Sequence, residues 1–110
     1  MTSSTYLGDL ERLLLMALVA IGHEAYGVTI RQAIEARTGR LVSPGAIYTA
    51  LDRLERRGYV TSRLGDPTPQ RGGKRKRFYT PSASGVAVLR ASHETLSRMA
   101  RGLRPKLELP

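Results

Sequence analysis

Six cations stand between Arg63 and Arg77: Arg63, Arg71, Lys74, Arg75, Lys76 and Arg77, against a single acid, Asp66. Gly65 to Gly73 holds two prolines and three glycines, which is turn chemistry and not the interior of a helix or strand. Cations on a glycine-rich hairpin can straddle a phosphate backbone, and an arginine at the tip can enter a minor groove. Each phosphate contact releases counterions, so affinity of this kind falls steeply with salt. The plain alternative is a solvated loop whose charge serves solubility; its placement beside a capped helix weighs against that. The whole chain leans the same way, with 18 Lys plus Arg against 9 Asp plus Glu in 110 residues, a formal charge of +9. Such an excess repels itself in the folded state and points to a polyanionic partner. Nucleic acid comes first and an anionic membrane surface second.

Other chemistry finds little footing. The chain has no cysteine, which excludes disulfides and thiolate catalysis. His23 and His93 have no carboxylate cluster at ligand spacing, so no metal site is expected. No G-x-S-x-G, Walker loop or G-x-G-x-x-G occurs, and the R-G-G of the basic stretch lacks the strand-to-helix setting of a phosphate loop. An enzyme is not expected, nor a cofactor. Leu13 to Ile21 is the most apolar segment but is far too short to span a bilayer, and no basic region or cleavage site makes it a signal peptide. A cytoplasmic protein without membrane association is expected.

The elements that must position the basic stretch follow from spacing. Leu10, Leu13, Leu14, Ala17, Leu18 and Ile21 recur at three and four, giving a first helix over Leu7 to Ile21 that Gly22 ends. Leu15, Met16 and Val19 lie off that stripe, so the helix is apolar almost all round, which hints at a second chain. Ala25 to Thr38 reads as a second helix with Val28, Ile30, Ala33 and Ile34 inward, ended by Gly39. Leu41 and Val42 suit a strand of one rung. Ser43 caps and Pro44 opens a third helix, with Ile47, Leu51 and Leu54 inward and Gly58 at its close. Tyr59 to Leu64 and Lys74 to Thr80 form the two strands of a hairpin. A last helix runs from about Val86 to Leu103, with Leu89, Leu96 and Leu103 seven apart and Met99 between them, a narrow seam suited to pairing between chains, the alternative being that it packs on the chain's own first helix.

This layout is mainly α with a small β-hairpin: a winged helix-turn-helix with amino- and carboxy-terminal dimerisation helices. Residues 1–80 are expected to form the DNA-binding domain and 81–110 the carboxy-terminal dimerisation helix and tail. The third helix turns Ser43, Gly45, Tyr48, Thr49, Asp52, Arg53 and Arg56 outward. Gly45 lets backbone approach closely, Tyr48 and Thr49 can meet a phosphate or a thymine methyl, and Arg53 can reach phosphate or guanine. Tyr48 can equally be a half-buried core residue, and both readings stand. Asp52 and Glu55 sit awkwardly on such a face; Asp52 can pair with Arg56 one turn on. The expected dimer interface is Leu10, Leu14, Leu89, Leu96, Met99 and Leu103.

Four segments carry a resemblance to a known family. They are L-G-D-L-E-R-L-L-L-M-A-L, A-Y-G-V-T-I-R-Q-A-I-E, S-P-G-A-I-Y-T-A-L-D-R-L-E-R-R-G-Y-V and R-G-G-K-R-K-R-F-Y-T. Together they make residues 7 to 103 similar to the PadR family of bacterial transcriptional regulators. The resemblance implies a homodimeric repressor that binds an inverted repeat in double-stranded DNA. It implies contacts from Ser43, Gly45, Tyr48 and Thr49 and from Arg71, Lys74, Arg75 and Lys76, with Arg77 next in the basic run. Members are often released from DNA by a small phenolic or drug-like effector. The single carboxy-terminal helix resembles the family's short branch. Short members typically line an inter-subunit drug pocket with aromatics; this sequence has no tryptophan and one phenylalanine, which argues against that pocket. Two rivals remain: a winged helix bound to structured RNA, and one that serves as a protein-interaction platform without DNA.

If the cations of the wing act through phosphate, replacing Lys74, Arg75 and Lys76 by alanine weakens binding to all duplexes and flattens the salt slope. Thr49→Ala mainly relaxes sequence preference. Anisotropy titrations over a salt series separate the two; an unchanged slope in the triple variant would refute the wing assignment.

Overall fold

The computed structural model describes residues 6–66 and 75–107. Its elements are α1 (Asp9–Ile21), a 3-10 turn (Gly22–Glu24), α2 (Gly27–Thr38), α3 (Pro44–Arg56), β1 (Val60–Leu64), β2 (Arg77–Pro81), α4 (Ala83–Ala100) and α5 (Arg104–Leu107). Local chemistry sets most of these limits. At the start of α1 the Glu11 carboxylate accepts from the Gly8 N–H at 2.7 Å, and Asp9 and Glu11 suit the positive end of the helix. Ser43 Oγ accepts from the Ala46 N–H at 3.1 Å and Pro44 takes the first helical position, as its spacing predicts. Gly58, at φ 80°, turns the chain after α3 while Tyr59 N–H donates back to the Leu54 carbonyl.

The core lies where α1, α2 and α3 meet under the hairpin. Leu14, Leu15 and Leu18 of α1, Ile30 and Ile34 of α2, Ile47, Leu51 and Leu54 of α3 and Val60 of β1 are all buried. Burial of each such side chain stabilises by about 2 kcal/mol. Leu15, off the main stripe, is enclosed too, because α1 is embraced on several sides; Met16 and Val19 stay exposed. On α2 the inward stripe is Gly27, Ile30 and Ile34, so Val28, expected inside, faces out at 48% exposure.

β1 and β2 pair antiparallel with Ser62 opposite Tyr79 and Arg63 opposite Phe78. The extra rung is not Leu41–Val42: that segment is no strand and Leu41 is 80% exposed. Instead the Tyr79 N–H, directed away from β1, donates to the Ala25 carbonyl at 2.8 Å. The 3-10 turn after α1 delivers Ala25 to that free edge, and the contact fixes the hairpin against the start of α2.

α4 begins at Ala83, three residues earlier than its apolar pattern predicts. Ser82 causes this: its Oγ accepts from the Gly85 N–H at 3.0 Å and donates to the Gly58 carbonyl at 2.7 Å. The helix ends at Ala100, before Gly102 at φ 80°, so Leu103 lies beyond it and the seam of leucines is not carried by one helix. Only the first half of α4 packs on the core, through Gly85, Val88 and Leu89; every described residue from His93 onward is exposed. Among the described residues no helix is long and apolar enough to cross a membrane.

Gly85 is where α4 crosses closest to the rest of the fold. A Cβ there would lie 2.0 Å from the Tyr59 carbonyl oxygen, a backbone atom that cannot step aside alone. Gly85→Ala is therefore expected to cost roughly 2–3 kcal/mol and to lower Tm by about 10 °C. Gly45→Ala, in open space, should leave Tm near that of the unsubstituted chain. Thermal denaturation followed by circular dichroism compares them.

Candidate nucleic-acid interface

The outer face of α3 is open where the sequence places it: Ser43, Gly45, Tyr48, Thr49, Asp52, Arg53 and Arg56 are all exposed. Ser43 spends its hydroxyl on the cap, and nothing lies within 4 Å of the position a Gly45 Cβ would take. Tyr48 meets both of its readings in part. It is 48% exposed, yet its hydroxyl lies against Gly27, where a Cβ would stand 2.1 Å away.

The two acids of this helix both have partners within the chain. Asp52 pairs with Arg56 one turn on. Glu55 accepts from Ser62 Oγ at 2.8 Å, and that oxygen in turn accepts from Arg77 Nη1 at 3.0 Å. A carboxylate that would repel phosphate is thus tied to the wing's own strand. Arg53 alone of the α3 arginines makes no hydrogen bond or ion pair among the described residues, so its guanidinium is free for an external oxygen.

On the wing, Arg71 and Lys74 lie outside the described residues. The three stem cations are engaged internally. Arg75 Nε donates to the Gly65 carbonyl at 2.8 Å, Arg77 holds Ser62, and the Lys76 ammonium sits 4.5 Å above the Tyr26 ring. Tyr26 meets Phe78 edge to face at 5.6 Å, and the Arg63 guanidinium covers the other ring at 4.6 Å. Lys76, Tyr26, Phe78 and Arg63 therefore form one run in which two rings in edge-to-face contact are closed at each end by a cation, from the start of α2 across both strands. Gly65 makes room for it, since a Cβ there would lie 2.6 Å from the Phe78 ring. The sequence hinted at this only through an aromatic set among cations. Burial pushes the Tyr79 phenol above its ordinary value while Arg77 pulls it back, so it stays neutral near pH 7.

Of the residues expected at a dimer interface, Leu14 is corrected: it is fully enclosed in the chain's own core and offers no surface to a partner. It shares the α1 stripe with Leu10, and periodicity cannot separate a face that meets the same chain from one that meets another. Leu10 and Leu89 are half-buried; Leu96, Met99 and Leu103 are exposed at 47%, 73% and 37%.

Three helices, a two-stranded wing and an open third helix define a winged-helix DNA-binding fold. The structure of F93 from STIV, a winged-helix DNA-binding protein, is similar at a TM-score of 0.68 and 18% identity, covering 88% of this chain and 97% of F93. A PadR family transcription regulator from Clostridium difficile R20291 is similar at a TM-score of 0.75 and 21% identity, covering 92% of this chain and all of that one. Transcriptional regulator Rv3488 of Mycobacterium tuberculosis is 33% identical over 84 residues, covering 74% of this chain and 72% of the relative. The model of the transcriptional regulator PadR-like family matches residues 14–91. The chain belongs to the PadR-like family of transcriptional regulators, a family of regulators and not of enzymes.

The run of cation and ring contacts gives a specific expectation. Phe78→Leu keeps apolar volume but removes the π face, and a double-mutant cycle with Arg63→Gln should yield a coupling of about 0.5 kcal/mol. Urea denaturation measures it; additivity of the two changes would show the contact to be geometric only.

Proposed function

We propose that the protein is a cytoplasmic homodimeric repressor that binds an inverted-repeat operator through α3 and its basic wing. The observation that carries this is the open amino-terminal half of α3. It presents Gly45, Tyr48 and Thr49, with an unengaged Arg53 further along the helix, beside a wing rich in cations; Asp52 is paired with Arg56 and Glu55 is held by Ser62. Base reading falls to the first turns of α3. Arg53 and the wing, through Arg71, Lys74, Arg75, Lys76 and Arg77, supply backbone affinity. Two such helices about a two-fold axis would enter major grooves roughly 34 Å apart.

The pairing is supported by surface that one chain leaves uncovered. Leu96, Met99 and Leu103 are exposed along the carboxy-terminal arm, and Met16 and Val19 are exposed on α1. Residues 1–80 then act as the DNA-binding unit and 81–110 as the pairing arm, with Leu10 and Leu89 at its base. That Rv3488 is named a transcriptional regulator agrees with a regulatory role.

The test is anisotropy of a labelled duplex from the gene's own upstream region against random duplex, over a salt series. Tighter binding to the upstream duplex, with a steep slope for both, is expected. Equal salt-sensitive affinity for both would reduce the protein to a non-specific polyanion binder and overturn the operator reading.

A further inference from the structure

A second set of donors lies beside α3 on a different helix. The first turns of α2 and α3 enclose a groove of about 80 Å³ lined by Gly27, Val28, Arg31, Pro44, Ile47 and Tyr48. No acid lines it. Arg31 is exposed and makes no hydrogen bond, ion pair or ring contact among the described residues. The Tyr48 hydroxyl is likewise without a hydrogen-bond partner there, and it is laid over α2 because Gly27 has no side chain: a Cβ would stand 2.1 Å from that oxygen. Gly27 and Arg31 are one turn apart on α2, so both face the same groove.

We propose that Arg31 and Tyr48 form a clamp for one backbone phosphate of duplex DNA, at the corner of α2 and α3. The inference rests on the DNA-binding reading above and adds to it a contact from α2. A guanidinium with its full set of donors, beside an O–H donor in a groove that no carboxylate lines, suits an anionic oxygen. The contrast with the wing stem supports the assignment. Arg75, Lys76 and Arg77 are held by the Gly65 carbonyl, the Tyr26 ring and Ser62, whereas Arg31 is held by nothing within the described chain. Phosphate contacts set register and carry no sequence information, so the clamp fixes how α3 sits in its groove.

Full-length protein is titrated with upstream and random duplex over a salt series, as the unsubstituted chain and as Arg31→Ala, Tyr48→Phe, the double variant and Arg37→Ala. Arg37, also unengaged on α2, lines a separate groove with Leu13 and Met16 of α1 and controls for loss of charge alone. Arg31→Ala is expected to weaken both duplexes about fivefold to tenfold and to lower the salt slope by about one per protomer. Arg37→Ala should leave both quantities near those of the unsubstituted chain. Tyr48→Phe should cost a few-fold alone and little more on top of Arg31→Ala, because both act on one phosphate. An unchanged slope in Arg31→Ala, an equal loss in Arg37→Ala, or full additivity with Tyr48→Phe would each overturn the clamp. Absence of duplex binding by the unsubstituted chain would instead overturn the DNA reading, and the clamp with it. Thermal melts check that all variants are folded.

Discussion

The ion pair between Glu11 and Arg57 is the constraint on which the geometry of α3 depends. Glu11 is the one buried charged residue among those described, with 7% of its side chain exposed. A carboxylate at that depth, left unpaired, would cost about 3 kcal/mol after allowance for the partial exposure of its partner. Arg57 Nη1 meets both of its oxygens at 3.2 and 3.3 Å, across 46 residues of chain. The same guanidinium donates to the Tyr6 carbonyl at 2.6 Å and lies 5.0 Å from the centre of the Tyr59 ring. Glu11 meanwhile accepts from the Gly8 N–H that opens α1. One carboxylate therefore caps the first helix and anchors the residue that follows the third. The end of α3, its exit through Gly58 and Tyr59, and the strand after it are all referred to the start of α1.

Fixing α3 in this way lets the cations be divided by task. A charge of +9 on a small domain is easily read as one diffuse attraction for polyanions. The structure separates it. Arg57, Arg63, Lys76 and Arg77 are spent on holding helix ends and strands, and Arg40 and Arg56 are paired with Asp9 and Asp52. Among the described residues, those left without internal partners near the recognition helix are Arg53 and Arg31. Rigid placement thus draws on single donors of Arg75 and Arg77, whose remaining N–H groups can still meet phosphate, while Arg53 and Arg31 keep their full sets.

What could be read from the sequence divides along the same line. Ser43-Pro44, Gly58 and the Ile47–Leu51–Leu54 spacing are local signals, and the third helix follows them residue for residue. The face that carries Tyr48, Thr49 and Arg53 was legible for the same reason. Ala25 was not, because a single alanine carries no strand signal and its rung is a backbone bond to Tyr79, distant in the chain. Arg57 is one cation among others in R-R-G, and nothing local shows that its partner is Glu11. Arg31 carries no local signal either, since it stands on the outer side of a helix whose periodicity marks only the inner stripe. Leu14 shows the opposite failure: its periodicity was true, but period alone does not say whose surface completes the face.

That Leu14 is enclosed by its own chain bears on how two such units could work together. The core that fixes α3 against α1 is closed without any partner, since Leu14, Leu18, Ile47, Leu51 and Leu54 are already fully buried within one chain. A second copy meeting Leu96, Met99 and Leu103 would add to a finished core and would not complete one. The recognition unit would then move as a rigid body when the pairing arms shift, with no change in the presentation of Tyr48 or Arg53. In the proposed dimer, control would fall on the distance between its two α3 helices, because spacing would have to match successive grooves and a change of a few ångströms would misalign one half-site while leaving each unit intact.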